Sequence, residues 1–173
     1  MKLLIVREDM KIRIYPDSIL RTESKLIENI EENTQILIDN MVETMYAAPG
    51  IGLAAVQVGE PIRLIIYDLS PMNEERKPSV LINPEIVMAE GNIIYEEACL
   101  SVVDFSADVA RSANVKVRGV DRHGNPVDIE AEGLLAICLQ HEIDHLNGVL
   151  FIDHISSLKR SLYKKRLKKR TKK

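Results

Sequence analysis

The spacing of apolar residues changes several times along this chain, and each change marks an element. The stretch Gly133-Leu-Leu-Ala-Ile-Cys-Leu-Gln-His-Glu-Ile-Asp-His-Leu-Asn-Gly148 is apolar around most of a helical circumference. It has no Pro and no interior Gly. Positions 134–146 are therefore predicted as a buried helix, with Gly148 as its C′ stop. Upstream, Ile36, Leu37, Met41, Met45 and Ala48 recur at helical spacing after Asn33, a good N-cap residue, and Pro49-Gly50 follows. That pattern predicts an amphipathic helix from Asn33 that ends before Pro49. A third helix is expected after Ser156, with Leu158, Leu162 and Leu167 along one side.

Between the helices the pattern shortens towards strands. Residues 11–15 read as a strand, with a turn at Pro16-Asp17-Ser18. Residues 62–68, 79–83, 86–89 and 93–97 also read as strands, and 70–78 as a polar, Pro-containing loop. Residues 115–121 and 127–131 flank Arg122-His123-Gly124-Asn125, a hairpin turn that leaves His123 exposed. Many short strands around one buried helix predict an α+β fold.

At 173 residues the chain is expected to form one catalytic domain, 1–173. Its core is expected at about 1–155 and a basic helix or tail at 156–173. Two cysteines give no disulfide framework and fit a reducing compartment. The apolar start Met1-Lys-Leu-Leu-Ile-Val6 is too short for a signal peptide, and no run approaches a membrane span. A cytoplasmic location, or an organelle stroma or matrix, is expected, with no membrane or DNA partner. The formal net charge of −3 hides an asymmetry, because 158–173 holds ten Lys or Arg and no acid. An acidic body with a basic end predicts a polyanionic docking partner, the alternative being a solvated helix end.

The chemistry gathers on the buried helix. His141 and His145 are four residues apart, so they stand one turn apart on one face. Two such imidazoles can hold one metal ion, and Glu142 can reach a water bound to it. The alternative is two core histidines, but two His, a Glu and an Asp are costly to bury without a task. A catalytic metal usually takes a third protein ligand. The metzincin proteases need a His where Phe151 stands, and thermolysin-like enzymes need a later Glu, which this chain lacks. The third ligand must come from upstream. Cys138 lies seven residues before His145, about 10.5 Å along the axis. One ion with bonds of roughly 2.0–2.3 Å cannot easily take both, so Cys138 reads as a buried hydrophobe beneath the site. Cys99, in Glu96-Glu97-Ala98-Cys99-Leu100-Ser101, is the better ligand.

A further stretch, Gly50-Ile-Gly-Leu-Ala-Ala-Val-Gln57, has small residues that admit a close neighbour, and an amide free to donate at Gln57. It matches neither nucleotide-loop pattern. Gly50–Gln57, Glu97-Ala-Cys-Leu-Ser101 and His141-Glu-Ile-Asp-His145 stand in an order that closely resembles the peptide deformylase family. The resemblance runs from Tyr15-Pro16-Asp17 to Gly148-Val-Leu-Phe151.

The resemblance implies small mixed or antiparallel sheets packed around the HExxH helix, with a C-terminal helix. It implies removal of the N-formyl group from the N-formylmethionine of nascent chains. Fe²⁺ would be the working metal, with Zn²⁺ or Ni²⁺ able to substitute. Cys99, His141 and His145 would be the ligands and Glu142 the proton carrier. The Gln57 side chain and the Leu100 backbone N–H would donate to the formyl oxygen. The peptide would lie beside Ile51, Gly52 and Ala98. Ile51, Tyr95, Leu134, Ile137, Cys138 and His141 would form the methionine pocket. A ribosome contact would fall on the basic tail, 158–173. Two positions depart from the family's usual pattern, Ala98 where it has Gly and Val103 where it has Pro. The rival readings are another HExxH amidase or protease, and a non-catalytic ribosome-binding relative.

Overall fold

Five antiparallel strands form the main sheet, in the order β1-β2-β3-β6-β7. They are β1 (Gly52–Ala54), β2 (Leu64–Tyr67), β3 (Ser79–Glu90), β6 (Asn114–Val120) and β7 (Pro126–Glu132). A second sheet is the hairpin of β4 (Ile93–Cys99) and β5 (Val102–Arg111). The helices are α1 (Glu32–Ala47), α2 (Gly133–Leu146) and α3 (Ser157–Arg170). This computed structural model describes residues 10–71 and 74–170. The chain start read above for a signal sequence lies outside the described residues, as do 171–173 and two positions of the polar loop.

Alternation along the strands decides where each helix packs. Ile65, Leu81, Val115 and Val117 face α2, where they meet Ala136, Leu139, Ile143 and Leu146. Leu64, Ile66 and Ile82 face the other way and meet Ile38, Met41 and Met45 of α1. The sheet is thus covered on both faces, and α2 is buried along most of its length. A third cluster joins α3 to the hairpin through Tyr163, Val102, Val109 and Phe151.

Several elements differ from the sequence reading. Residues 11–15 form no strand; single bonds tether them, Arg13 N–H to Gln57 O at 2.7 Å and Tyr15 N–H to Ser101 O at 2.8 Å. The turn after Pro16 continues into a short 3-10 helix, Ser18–Arg21, capped by the Asp17 carboxylate. Helix α1 starts before Asn33, with Glu31 at its N-cap and no side-chain cap bond. Glu32 in the first turn suits the positive end of the helix dipole. The two strands expected at 79–83 and 86–89 are one strand, β3. It absorbs Pro84 at an irregularity between Ile82 and Glu85, where Asn83 has φ 52°. The polar Asn83 side chain is used there, pairing with both backbone groups of Ile27 at 2.9 Å.

The whole of β5 escaped the sequence reading. Its inward positions are Phe105, Ala107, Val109 and Arg111, and a charged residue at the end of an apolar row hides the period. Helix α2 begins at Gly133 and stops as expected, with Gly148 at φ 70°. A side chain there would also meet the Arg21 carbonyl oxygen at 2.7 Å. Ser156 does accept from Lys159 N–H, at 3.3 Å. The apolar edge of α3, however, is Tyr163 with Leu167, while Leu158 and Leu162 are exposed. No helix among the described residues is long and apolar enough to cross a membrane.

Candidate metal centre

Three local structures meet at one point. Helix α2 brings His141 and His145, whose ring centroids stand 5.0 Å apart. The hairpin brings Cys99, which ends β4 and pairs across a two-residue turn, Leu100-Ser101, with Val102. Ala98 pairs with Ser106, so Val103–Phe105 bulge out of register, with Asp104 at φ 55°. That bulge turns the hairpin tip onto α2. Cys99 Sγ comes to 3.2 Å from His145 Nε2. Ligand atoms of Cys99, His141 and His145 all lie within 4.8 Å of one another, so the three can hold a metal ion. Cys138 is buried on the same helix, with Sγ 3.9 Å from the Ile51 carbonyl oxygen, and is not one of that set.

The donors suit a soft to intermediate divalent ion, one thiolate with two imidazoles. Burial and the neighbouring cationic His141 hold His145 well below its ordinary pKa, so it is neutral and has a lone pair to give. Burial would also lower His141, but its contacts with Cys99 and Glu97 outweigh this and raise it well above its ordinary value. The negative atoms that would keep a proton on His141 would equally favour a cation between the three ligands.

Glu97 is the site residue that the sequence reading missed. It is buried and takes His141 Nδ1 at 2.8 Å, which leaves Nε2 for the metal. Arg111, at the far end of β5, donates Nε to Glu97 Oε1 at 2.7 Å and Nη2 to Oε2 at 3.0 Å. Its Nη1 donates to Asp144, which also accepts from His154 Nε2 at 2.7 Å. Burial pushes the Glu97 carboxyl up, yet the bonds from His141 and Arg111 bring it down to about 2. The signal for this network was the acidic pair Glu96-Glu97 beside the ligand, but Arg111 gave none, lying in the strand that was not foreseen.

Gln57 is held by both ends of its amide. Its Oε1 accepts Ala54 N–H at 2.8 Å and its Nε2 donates to Ser101 Oγ at 3.0 Å. That fixes which end is nitrogen and turns its second N–H towards Cys99 Sγ, 3.7 Å away. Glu142 is 4% exposed, its Oε2 has no hydrogen-bond partner among the described residues, and burial raises its pKa to about 7. A cleft of about 470 Å³ opens above these groups. Gly52, Gln57, Ala98, Cys99, Leu100, Ile137, Cys138, His141 and Glu142 line it, with Ile51, Tyr95 and Leu134 half-exposed at its mouth. His145 lies beneath the floor, 1% exposed.

Two outcomes follow for the ligands and their support. Cys99→Ser should lose tight metal binding, while Cys138→Ser should keep the metal and lose stability; elemental analysis and a thermal melt separate them. The reverse pattern would overturn the ligand set. Glu97 has a depressed folded-state pKa, so it adds stability above its unfolded value near 4.5, and this is lost as pH falls towards about 2. A Glu97→Gln variant should show a flatter loss of denaturation free energy over that interval than the parent chain.

The family model described as polypeptide deformylase matches residues 9–161. A curated peptide deformylase of Mesorhizobium japonicum is 55% identical over 157 residues, covering 90% of this chain and 89% of that one. The crystal structure of a peptide deformylase from Legionella pneumophila has a TM-score of 0.88 at 45% identity, over 95% of this chain and 96% of that chain. A Met-Ala-Ser-bound peptide deformylase of Acinetobacter baumannii has a TM-score of 0.82 at 32% identity, over 86% and 99%. With the Cys-His-His set and the largely apolar cleft above it, these matches lead to one conclusion: the chain belongs to the polypeptide deformylase family.

Proposed function

We propose that this chain hydrolyses the formyl amide at the N-terminal methionine of new polypeptides, releasing formate. The observation that carries the reading is the meeting of Cys99, His141 and His145 directly below a cleft lined by Glu142 and Gln57. The Met-Ala-Ser ligand of the Acinetobacter structure, a methionine-first peptide, supports the substrate class.

Cys99, His141 and His145 would hold the metal ion, and Fe²⁺ is proposed, with Zn²⁺ or Ni²⁺ able to substitute. When bound, such an ion is a Lewis acid that lowers the pKa of water towards ~7. An Fe²⁺–thiolate centre open to water would be air-sensitive. Glu142 takes the proton of the attacking water and returns it to the leaving amine. The Gln57 N–H that rests 3.7 Å from Cys99 Sγ turns to the oxygen that gains charge, and the backbone N–H of Leu100 donates to it too, each worth about 2.7–4 kcal/mol. Ser101 Oγ and Ala54 N–H hold the Gln57 amide with its nitrogen towards the cleft. Ile51, Tyr95 and Leu134 at the mouth, with Ile137 and Cys138 below, would take the methionine side chain. The peptide backbone would run beside Ile51, Gly52 and Ala98 as an added strand. The Ala98 methyl narrows that path.

We also propose that the basic helix docks on ribosomal RNA, with cytoplasm or an organelle interior as the working compartment. Lys164, Lys165, Arg166 and Lys169 are exposed on α3, whereas Tyr163 and Leu167 tie the helix to the body. The docking face and the metal site lie on separate elements.

Formate release from a formyl-Met peptide, compared with its acetylated and unblocked forms, tests the activity; equal cleavage of internal peptide bonds would point to a protease. Glu142→Gln should retain metal and lose about 10²–10⁴-fold in turnover. Because Glu142 must be ionised to act, kcat/KM should fall as pH drops through its pKa. That pKa is about 7 without a metal, and a bound cation moves the limb lower. Near-normal turnover in the Gln variant would mean that another group moves the proton.

For the helix, replacing Lys164, Lys165 and Lys169 by Ala should leave peptide hydrolysis unchanged. Each lost phosphate contact should flatten the salt dependence of ribosome cosedimentation by about one unit of log–log slope. An unchanged slope would leave the basic face a solvated surface.

A further inference from the structure

The small residues of Gly50–Gln57 read as sites of close approach. What they admit is side chains. A Cβ built on Gly52 would lie 2.4 Å from Glu142 Oε1, 2.9 Å from its Cδ and 3.0 Å from its Cγ. One built on Gly50 would lie 2.8 Å from Leu100 Cδ1, and none of its three nearest atoms belongs to Glu142. Each glycine therefore makes room for a different residue of the cleft.

The contact at Gly52 bears on how Glu142 is held. The carboxylate is buried, and its Oε2 has no hydrogen-bond partner among the described residues. Hydrogen bonding to that oxygen does not aim it, so packing carries more of that task. Gly52 lies in β1, which is fixed in the sheet by antiparallel pairing to Tyr67 of β2. The strand is thus a firm wall, and the carboxylate rests on the one position where the wall has no side chain.

We propose that Gly52 is a positioning residue for Glu142, its missing side chain being the seat that sets where the carboxylate stands. This rests on the reading of Glu142 as the proton carrier, and it gives Gly52 a task besides lining the peptide path. The φ of Gly52 lies outside the left-handed region, so alanine is tolerated by the backbone. The nearest atoms belong to the end of a flexible side chain, so Gly52→Ala moves Glu142 and not the strand. A displacement of that kind lowers turnover, since misplacement by about 1 Å can cost 10²-fold.

The test is a double-mutant cycle. Gly52→Ala should keep its metal content and thermal midpoint, lower kcat by about 10–10²-fold, and leave KM within about threefold. In a Glu142→Gln background there is no proton carrier left to misplace, so adding Gly52→Ala should cost less than about threefold more. Gly50→Ala is the control, and whatever it costs should be the same in both backgrounds. A Gly52→Ala variant with raised KM and unchanged kcat would show a peptide wall only and overturn the proposal. An equal kcat loss in both backgrounds would overturn it too, as would loss of metal or fold, because the strand would then have moved. If Glu142→Gln itself turns over normally, the underlying reading of Glu142 fails instead.

Discussion

The buried carboxylate of Glu97 ties the two halves of the site together. It sits between a guanidinium from β5 and an imidazole from α2, with 2.7 and 3.0 Å bonds to Arg111 and 2.8 Å to His141. Burying a carboxylate costs several kcal/mol unless it is paired and hydrogen-bonded. Here both oxygens are taken up by cationic or polar donors, and the same bonds fix which nitrogen of His141 faces the metal position. Arg111 in turn reaches Asp144 on α2, so the guanidinium clamps hairpin to helix from a second side. Loss of either partner would leave a charge stranded in the interior, where water cannot compensate it.

The two sheets have different tasks around this clamp. The five-stranded sheet is held between α1 and α2, and it supplies β1 as a fixed wall beside Glu142. The hairpin is a separate lever, packed through Phe105 and Val109 against Phe151 and Tyr163. Its bulge at Val103–Phe105 aims Cys99 at the helix. The metal position is thus built where a helix and a hairpin tip converge, while the cleft is built between β1 and β4. Gln57 bridges the two, with one amide end on Ala54 of β1 and the other on Ser101 at the hairpin tip.

Close packing and chemistry share residues throughout. Cys138 and Ile137 are core positions of α2 that also floor the cleft. Leu100 fills the space left by Gly50 and also lines the cleft. Ile137 and Cys138 therefore change volume only at the expense of the fold.

Much of this was legible in one dimension. The period of 3.6 located α2 and α1, and His141, Glu142 and His145 fell on that helix because their spacing is local. Cys99 could be preferred over Cys138 because the rise of a helix forbids one ion from taking both Cys138 and His145. The departures at Ala98 and Val103 were likewise visible as letters. Other features depend on residues far apart in the chain. Arg111 reads as an ordinary strand-end charge until β5 folds back on β4 and brings it to Glu97. Glu97 itself looks like a surface acid, because a carboxylate's burial depends on partners that sequence spacing does not place. Tyr163, and not Leu158 or Leu162, faces the body, because the rotation of α3 is set by the aromatic cluster it meets. Gly50 and Gly52 could be recognised as sites of close approach, but only the tertiary structure decided that a carboxylate approaches one of them. Local spacing determined the elements and the ligand types; the long-range pairing of charges and the filling of space decided how those ligands are held.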